Sequence, residues 1–274
     1  MNGGAITVMA WQNNNLNSLA KFAAGLVLPA VVLTIWVLGA QFALWNSYVI
    51  PPPAAVLQTL EHLLTSGLLL QHIGVSLYRV FAGFTLALLF AFPLGILLGM
   101  QARWNPFVGP SLEMLRHIPP LAALPMLILW FGIGELPKLL IVVLATFFPI
   151  FLNTLHGVNN CDKKWLEVAR SFQLSHWQVF CRIILPAALP SVLVGMRLGL
   201  GYSWRALVGA ELIAAASGIG YMILDAEQLS RPDIIVIGIL TIGIVGTVID
   251  GLFFRLTARL IPWQAAMEVD YGRG

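Results

Sequence analysis

Charged residues are scarce in this chain. Only 10% of its 274 residues are charged and 59% are hydrophobic, whereas about 25% of the residues in an average soluble domain are charged. A soluble fold of this length needs more polar surface than these side chains supply, but lipid accepts apolar surface without penalty. The composition therefore excludes an ordinary soluble domain and predicts an integral membrane protein.

The sequence also lacks the residue clusters that metal sites and nucleic-acid grooves use. Its two cysteines, Cys161 and Cys181, are 20 positions apart, so they lack the spacing of a metal or redox pair and we expect reduced thiols. The five histidines are dispersed without metal-ligand spacing. The basic residues behind the net charge of +3 are scattered among apolar runs. We therefore expect no metal and no nucleic-acid partner.

Long apolar runs predict an all-α polytopic fold with about six transmembrane helices. A helix needs about 20 apolar residues to cross the hydrocarbon core. Five runs satisfy this length, and a sixth is interrupted by prolines, each of which removes a backbone donor. In chain order, the six predicted spans are residues 22–45, 80–100, 118–134 (the interrupted run), 139–158, 186–210 and 234–254.

The distribution of lysine and arginine predicts that both termini are cytoplasmic. With that orientation, ten basic residues fall in inner segments and three, Arg79, Lys138 and Arg231, fall in outer ones, as the positive-inside rule favours. The membrane domain is then 22–258, with cytoplasmic tails at 1–21 and 259–274. The polar segment 159–185, here called the polar loop, joins the fourth and fifth spans in the cytoplasm.

Both long outer connections carry helical patterns. Leucines recur at three- and four-residue steps after Pro53 as far as Arg79, which predicts an amphipathic helix at the outer interface. The last outer loop begins with glycines that can end a helix and continues with a short amphipathic turn.

The polar loop has the composition of a docking surface. Trp165, Phe172 and Trp177 alternate with charged side chains, and protein interfaces use aromatic residues as anchors and charges to fix the register. The alternative is an interfacial helix that rests its tryptophans in the headgroup layer.

The polar loop resembles the EAA loop of the permease subunits of ATP-binding-cassette importers. That pattern reads Glu-Ala-Ala, three residues, Gly, nine residues, Ile-x-Leu-Pro, and the spacing here matches throughout. The matching positions are Glu167, Ala169, Gln173, Ile183, Leu185 and Pro186. Val168 replaces the second motif residue, and Gln173 stands where glycine is usual, so we expect a different or a strained turn there.

Other stretches are similar to the nitrate, sulfonate and taurine branch of these permeases, and nearest to its aliphatic-sulfonate members. They include IPPPAAVLQTL, LRHIPPLAALPMLILWFGIGE, FPIFLNTLHGV and AELIAAASGIGYMI. The resemblance implies a type I importer fold in the bacterial inner membrane and a second copy of the permease. It further implies two ATP-binding cassette subunits that hold the polar loops, and a periplasmic solute-binding protein.

In such an assembly ATP and Mg²⁺ are bound by the ATPase subunits, and this chain has no cofactor and no enzymatic activity. The sequence agrees, because it contains no Gly-x-x-x-x-Gly-Lys motif.

Ionisable residues in or beside the fifth predicted span need an explanation, because each costs several kcal/mol there unless it is paired or faces water. Arg197 and Arg205 are eight positions apart and share a helix face. One hypothesis is that Arg197 and Glu211 line the translocation pathway and that the positive potential attracts a small anion. The alternative is that Arg197 reaches the cytoplasmic interface and Glu211 caps or pairs near the outer end.

The sequence therefore predicts the permease of an importer for a small oxyanion, with aliphatic sulfonate first and taurine, nitrate or another small solute as alternatives. A self-contained secondary transporter would show inverted repeats or midplane ion carriers, and the sequence displays neither. A membrane enzyme would need clustered catalytic side chains on facing spans, which the sequence also does not display.

Overall fold

In the computed structural model of the chain, residue 25 and residues 27–261 are described, apart from the side chains at positions 102, 105 and 163. The predicted tail 1–21 and most of the predicted tail 259–274 lie outside the described residues. The described helices are α1 (Val27–Gln41), α2 (Pro53–Thr65), α3 (Leu68–Met100), α4 (Asn105–Arg116), α5 (Leu124–Phe131), α6 (Glu135–Asn159), α7 (Lys163–Ser171), α8 (His176–Val179), α9 (Leu185–Ala214), α10 (Ile219–Gln228) and α11 (Pro232–Leu260).

The all-α membrane fold is confirmed, because the helical stretches that contain α3, α6, α9 and α11 are each long and apolar enough to cross a membrane. They correspond to the predicted spans at 80–100, 139–158, 186–210 and 234–254. Only part of the predicted first span lies among the described residues, and that part contains the shorter apolar helix α1. The short helix predicted in the last outer loop is α10.

The second span begins earlier than predicted, and the interfacial helix expected before it does not extend to Arg79. Gly67 adopts a left-handed conformation with φ +75° and separates α2 from the 33-residue helix α3. From Leu68 the chain stays helical as far as Met100. Arg79 therefore lies inside α3, and Lys138 lies in the first turn of α6, so neither belongs to an outer loop as predicted.

The proline-interrupted third span predicted at 118–134 corresponds to part of a bent pair of helices, which has the geometry of a broken span or of a re-entrant loop. Pro119 and Pro120 follow the end of α4, and the chain from Pro120 is first a 3₁₀ turn and then the eight-residue helix α5. The axes of the two helical pieces, Pro106–Arg116 and Pro120–Phe131, differ by 86°. Consecutive prolines supply no backbone donors and hold the preceding residue out of the helical region, so a straight helix cannot pass through them.

Helix α6 lies between α3 and α9 at the centre of the bundle, and small residues let the three helices approach closely. A Cβ atom on Gly95 of α3 would lie 2.7 Å from Cβ of Thr154 on α6. On the other side of α6, a Cβ atom on Gly195 of α9 would lie 2.6 Å from Cβ of Asn153. Membrane helices pack through such small residues because van der Waals contact, rather than hydrophobic burial, drives their association.

Candidate functional site

The polar loop folds into two short helices with well-formed N-termini. The carboxylate of Asp162 accepts a hydrogen bond of 2.9 Å from the backbone N–H of Lys164 at the start of α7. Ser175 and Gln178 form a reciprocal capping box at the start of α8. These caps satisfy N–H groups that a helix leaves unpaired at its first turn. The polar loop is therefore an ordered helical element and not an irregular connection.

Gln173 forms the corner between α7 and α8 in a strained left-handed conformation with φ +49°. The N–H of Gln173 bonds the carbonyl of Arg170 at 2.9 Å, and the N–H of Leu174 bonds the carbonyl of Ala169 at 3.0 Å. These two bonds form a Schellman motif, whose left-handed position is usually glycine. The expectation of a strained turn at Gln173 is confirmed, and the strain is about 1–2 kcal/mol for a residue with a Cβ atom.

Gln173→Gly is expected to stabilise this corner by about 1 kcal/mol, because glycine removes the Cβ strain while the two Schellman bonds stay in place. Amide hydrogen exchange at Leu174 should slow by about fivefold. Gln173→Ala is the matched control, since alanine keeps the Cβ atom and should change the exchange rate far less. Equal effects of both variants would contradict the assignment of strain.

One side of α7 rests on the bundle and the other side is exposed. Ala169 is only 1% exposed, and Leu166 packs against a buried cluster at the end of the bundle made of Val158, Cys161, Ile184, Ala188 and Val192. By contrast, Trp165 is 60%, Phe172 76% and Trp177 71% exposed. Glu167 is exposed on the same short helix. The loop is therefore anchored to the bundle through Leu166 and Ala169, and it presents exposed aromatic and charged side chains.

The second half of the polar loop continues into a spanning helix without an intervening loop. Residues Phe180–Ile184 form a π-helical turn between α8 and α9, and this turn contains Ile183. Pro186 lies in the first turn of α9 next to Leu185, where the missing N–H of proline is tolerated. A displacement of α8 is consequently transmitted to α9 through continuous helical backbone.

The cysteines and histidines form no metal site in the part of the chain that the structure describes, where no group of three potential ligands is found. Cys161 and Cys181 are free cysteines, as predicted. Burial raises the pKa of the Cys161 thiol, so Cys161 remains protonated near neutral pH.

A group of charges, buried except for Glu135, lies at the end of the bundle opposite the polar loop. This charge cluster consists of Arg79 on α3, Glu135 and Lys138 on α6, and Glu211 on α9. Arg79 is only 3% exposed, and its Nη1 lies 2.7 Å from Oε1 of Glu211, while its Nε lies 2.6 Å from Oε2 of Glu135. Lys138 Nζ donates to Glu135 Oε1 at 2.7 Å. The two cations and two anions balance, so the cluster carries no net charge.

Sequence reasoning missed Arg79 and Lys138 as members of this cluster because it assigned both to outer loops. The feature of the sequence that could have placed Arg79 in a spanning helix was its position within an uninterrupted helical stretch.

The loop between α9 and α10 completes the cluster. Arg79 donates to the carbonyl oxygen of Ser217 at 2.6 Å and to its hydroxyl at 3.1 Å. Glu211 is fully buried and accepts from the Ser76 hydroxyl at 2.9 Å and from the N–H of Gly220 at 3.0 Å. Gly218 has φ +114°, and a Cβ atom there would lie 2.2 Å from Oε1 of Glu211. The Gly-Ile-Gly sequence therefore makes room for a buried carboxylate.

Arg197 also pairs with a carboxylate, but this ion pair is more exposed than that of Arg79 and Glu211. Its Nε and Nη2 bind the two carboxylate oxygens of Asp250 on α11 at 2.7 and 2.6 Å. The contacts of Glu211 agree with the alternative in which Glu211 pairs near the outer end. Arg197 pairs with a residue of the neighbouring helix α11. Whether Arg197 and Glu211 line a pathway stays a prediction.

Arg197 and Arg205 line one open groove between α9 and α11, which we call the arginine groove. Its volume is about 470 Å³. The remaining residues of its wall include the small Gly201, Gly243 and Gly246. The structure thus brings together the two arginines that the sequence placed on one face of a helix, and Glu211 lies apart from them.

Comparison with known proteins matches the chain to one protein family and to several permeases. Residues 91–262 match the family described as binding-protein-dependent transport system inner membrane component. SsuC of Bacillus subtilis, named as a candidate aliphatic sulfonates transport permease, is 40% identical over 89% of this chain and 88% of its own length. The taurine transport permease TauC of Escherichia coli is 38% identical over 87% of this chain and 89% of its own length.

Two further proteins are similar to this chain. The nitrate import permease NrtB of Leptolyngbya laminosa is 31% identical over 71% of this chain and 70% of its own length. One chain of the MetNI methionine ABC transporter, in an inward-facing conformation, has a TM-score of 0.55 at 17% identity and covers 68% of this chain and 96% of its own length. The last match shows the fold.

Proposed function

The chain belongs to the family of binding-protein-dependent transport system inner membrane components, and from this premise we propose that it imports an aliphatic sulfonate. It is the membrane permease of an ATP-binding-cassette importer. The observation that carries the choice of solute is the 40% identity with an SsuC permease across nearly the whole chain. The neutral charge cluster and the net positive arginine groove fit a small anionic solute better than a cation.

We propose that the polar loop docks into a separate ATPase subunit, so that a pair of permeases engages two such subunits. The support is geometric: Trp165, Phe172 and Trp177 are exposed on a loop that Ala169 anchors to the bundle. Large exposed aromatics on an ordered element are typical of binding hot spots. Because α8 runs into α9, movement of the ATPase subunits would tilt a spanning helix. ATP and Mg²⁺ would be bound by the ATPase subunits.

A second copy of the permease and a periplasmic binding protein complete the proposed assembly. The face of α9 with Val194, Arg197, Leu198, Tyr202 and Arg205 is exposed in the single chain. Arginines on such a face are poorly solvated by lipid, so this face suits an aqueous pathway between two copies.

The proposed orientation in the inner membrane keeps both termini and the polar loop cytoplasmic. Ten basic residues in the inner segments of the predicted topology, against three in its outer segments, support this orientation.

Competition for uptake in reconstituted vesicles tests the solute. The complete transporter, reconstituted with its ATPase subunits and binding protein, should take up a short labelled alkanesulfonate. Unlabelled alkanesulfonates should compete at lower concentrations than taurine or nitrate. If taurine or nitrate competes best, the chain remains an importer permease and the sulfonate assignment is wrong.

Glu167→Lys is expected to reduce ATP-driven uptake by at least about tenfold, because reversing an exposed charge on the docking surface places like charges against the partner. The chain should still insert in the membrane, since the Glu167 side chain is exposed. Glu167→Gln should have a smaller effect. Uptake by Glu167→Lys at the wild-type rate would contradict the docking role.

A further inference from the structure

Arg205 lies within helix α9, one of the long helices of the bundle core. Helix α9 has 30 residues, and Arg205 is nine positions before its end at Ala214. With a rise of about 1.5 Å per residue, the helix is about 45 Å long and the nearer end is about 14 Å from Arg205. The hydrocarbon core is about 30 Å thick, so a helix of this length places Arg205 inside it.

The side chain of Arg205 is directed toward the middle of the helix, away from the nearer end. Its Nε donates to the carbonyl oxygen of Gly201 at 3.0 Å, and its guanidinium carbon lies 5.0 Å from the centre of the Tyr202 ring. Both neighbours precede Arg205 in the sequence. A snorkelling arginine extends toward the nearest interface, so this arginine does not reach water in that way.

Arg205 has no carboxylate partner among the residues that the structure describes, whereas Arg197 in the same groove is matched by Asp250. The arginine groove therefore carries one uncompensated positive charge, and the charge belongs to Arg205. The side chain is exposed, and the neighbouring Gly201 and Gly243 leave space beside it. A cation at this depth is stable only against water or an anion, because lipid tails do not solvate it.

We infer that Arg205 is the residue that selects anionic solutes in the translocation pathway. This inference rests on the proposed importer function and names the group that recognises the solute. The guanidinium offers a planar set of donors that can bind two oxygens of one oxyanion. Arg197 is held in a bidentate pair with Asp250 and leaves no net charge. The volume of about 470 Å³ accommodates a small oxyanion.

Charge substitution in the complete transporter is the first test. Arg205→Gln should lower alkanesulfonate uptake by about 10- to 100-fold, while Arg205→Lys should stay within about tenfold of wild type. ATP hydrolysis stimulated by the binding protein should persist in both variants. If wild type takes up no oxyanion, the proposed function fails. If wild type transports and Arg205→Gln equals it, only the role of Arg205 is overturned.

Chemical restoration of the charge separates recognition from packing. In a chain with Cys161→Ser and Cys181→Ser, the variant Arg205→Cys is treated in the complete transporter with cationic or anionic methanethiosulfonate reagents of similar size. The cationic reagent should restore uptake and the anionic reagent should not. Absence of labelling by these water-soluble reagents, or equal restoration by both, would overturn the inference.

Discussion

Arg79→Met is expected to lower the free energy of unfolding by about 3–5 kcal/mol, because it leaves Glu211 buried without its counter-ion. Glu211 is fully buried, and its remaining partners, the Ser76 hydroxyl and the Gly220 N–H, do not neutralise its charge. Arg79 also joins α3 to the loop after α9 through Ser217. Thermal unfolding of the purified chain in detergent measures the effect as a drop in Tm on the order of 10 °C.

Arg116→Met is the matched control for Arg79→Met. Arg116 pairs with Glu113 on the surface of α4, where both side chains are substantially exposed, and such pairs contribute about 0–1 kcal/mol. The double variant Arg79→Met with Glu211→Met should recover part of the loss, since two apolar side chains replace two interacting charges. Equal effects of Arg79→Met and Arg116→Met would contradict a structural role for the charge cluster.

Ala169→Leu is expected to reduce ATP-driven uptake by at least about tenfold, while the chain remains in the membrane. Ala169 is 1% exposed in the loop, so the three extra carbon atoms of leucine force α7 away from the bundle. This displacement destabilises the fold by about 1–3 kcal/mol. A displaced α7 would no longer present Trp165 and Phe172 in the geometry proposed for docking into the ATPase subunit. Uptake into vesicles, together with copurification of the ATPase subunit, measures the change.

Val168→Leu is the neighbouring control for Ala169→Leu. Val168 is 45% exposed, so a leucine there extends into solvent and should change uptake by less than about threefold. If the two variants reduce uptake equally, the burial of Ala169 is not what matters, and the anchored geometry of the polar loop would have to be abandoned.

Local sequence patterns were sufficient for four spans and for the polar loop. The apolar runs in α3, α6, α9 and α11 each contain enough residues to cross the membrane, and length together with hydropathy is a local property. The strain at Gln173 was anticipated from the resemblance, because the EAA pattern has glycine at this position and a side chain there is strained in a left-handed turn. Both inferences depend on residues that are close in the sequence.

The charge cluster depends on contacts that local patterns do not encode. Arg79 and Glu211 are 132 positions apart, and only the packing of α3 against α9 brings them together. The start of α3 was misplaced because a periodic leucine pattern fits an interfacial helix and a spanning helix equally well. The prolines near Pro119 predicted an interruption, because they remove backbone donors, but the bend of 86° between the two helical pieces depends on how those pieces pack.

The most direct test of the central claim is solute uptake by defined combinations of subunits. Vesicles that contain this chain, its ATPase subunits and the binding protein should accumulate alkanesulfonate when ATP is supplied on the side of the polar loop. Vesicles without the ATPase subunits should accumulate none. Uptake by this chain alone, without ATP or companion subunits, would contradict the account of a permease whose polar loop couples transport to a separate ATPase.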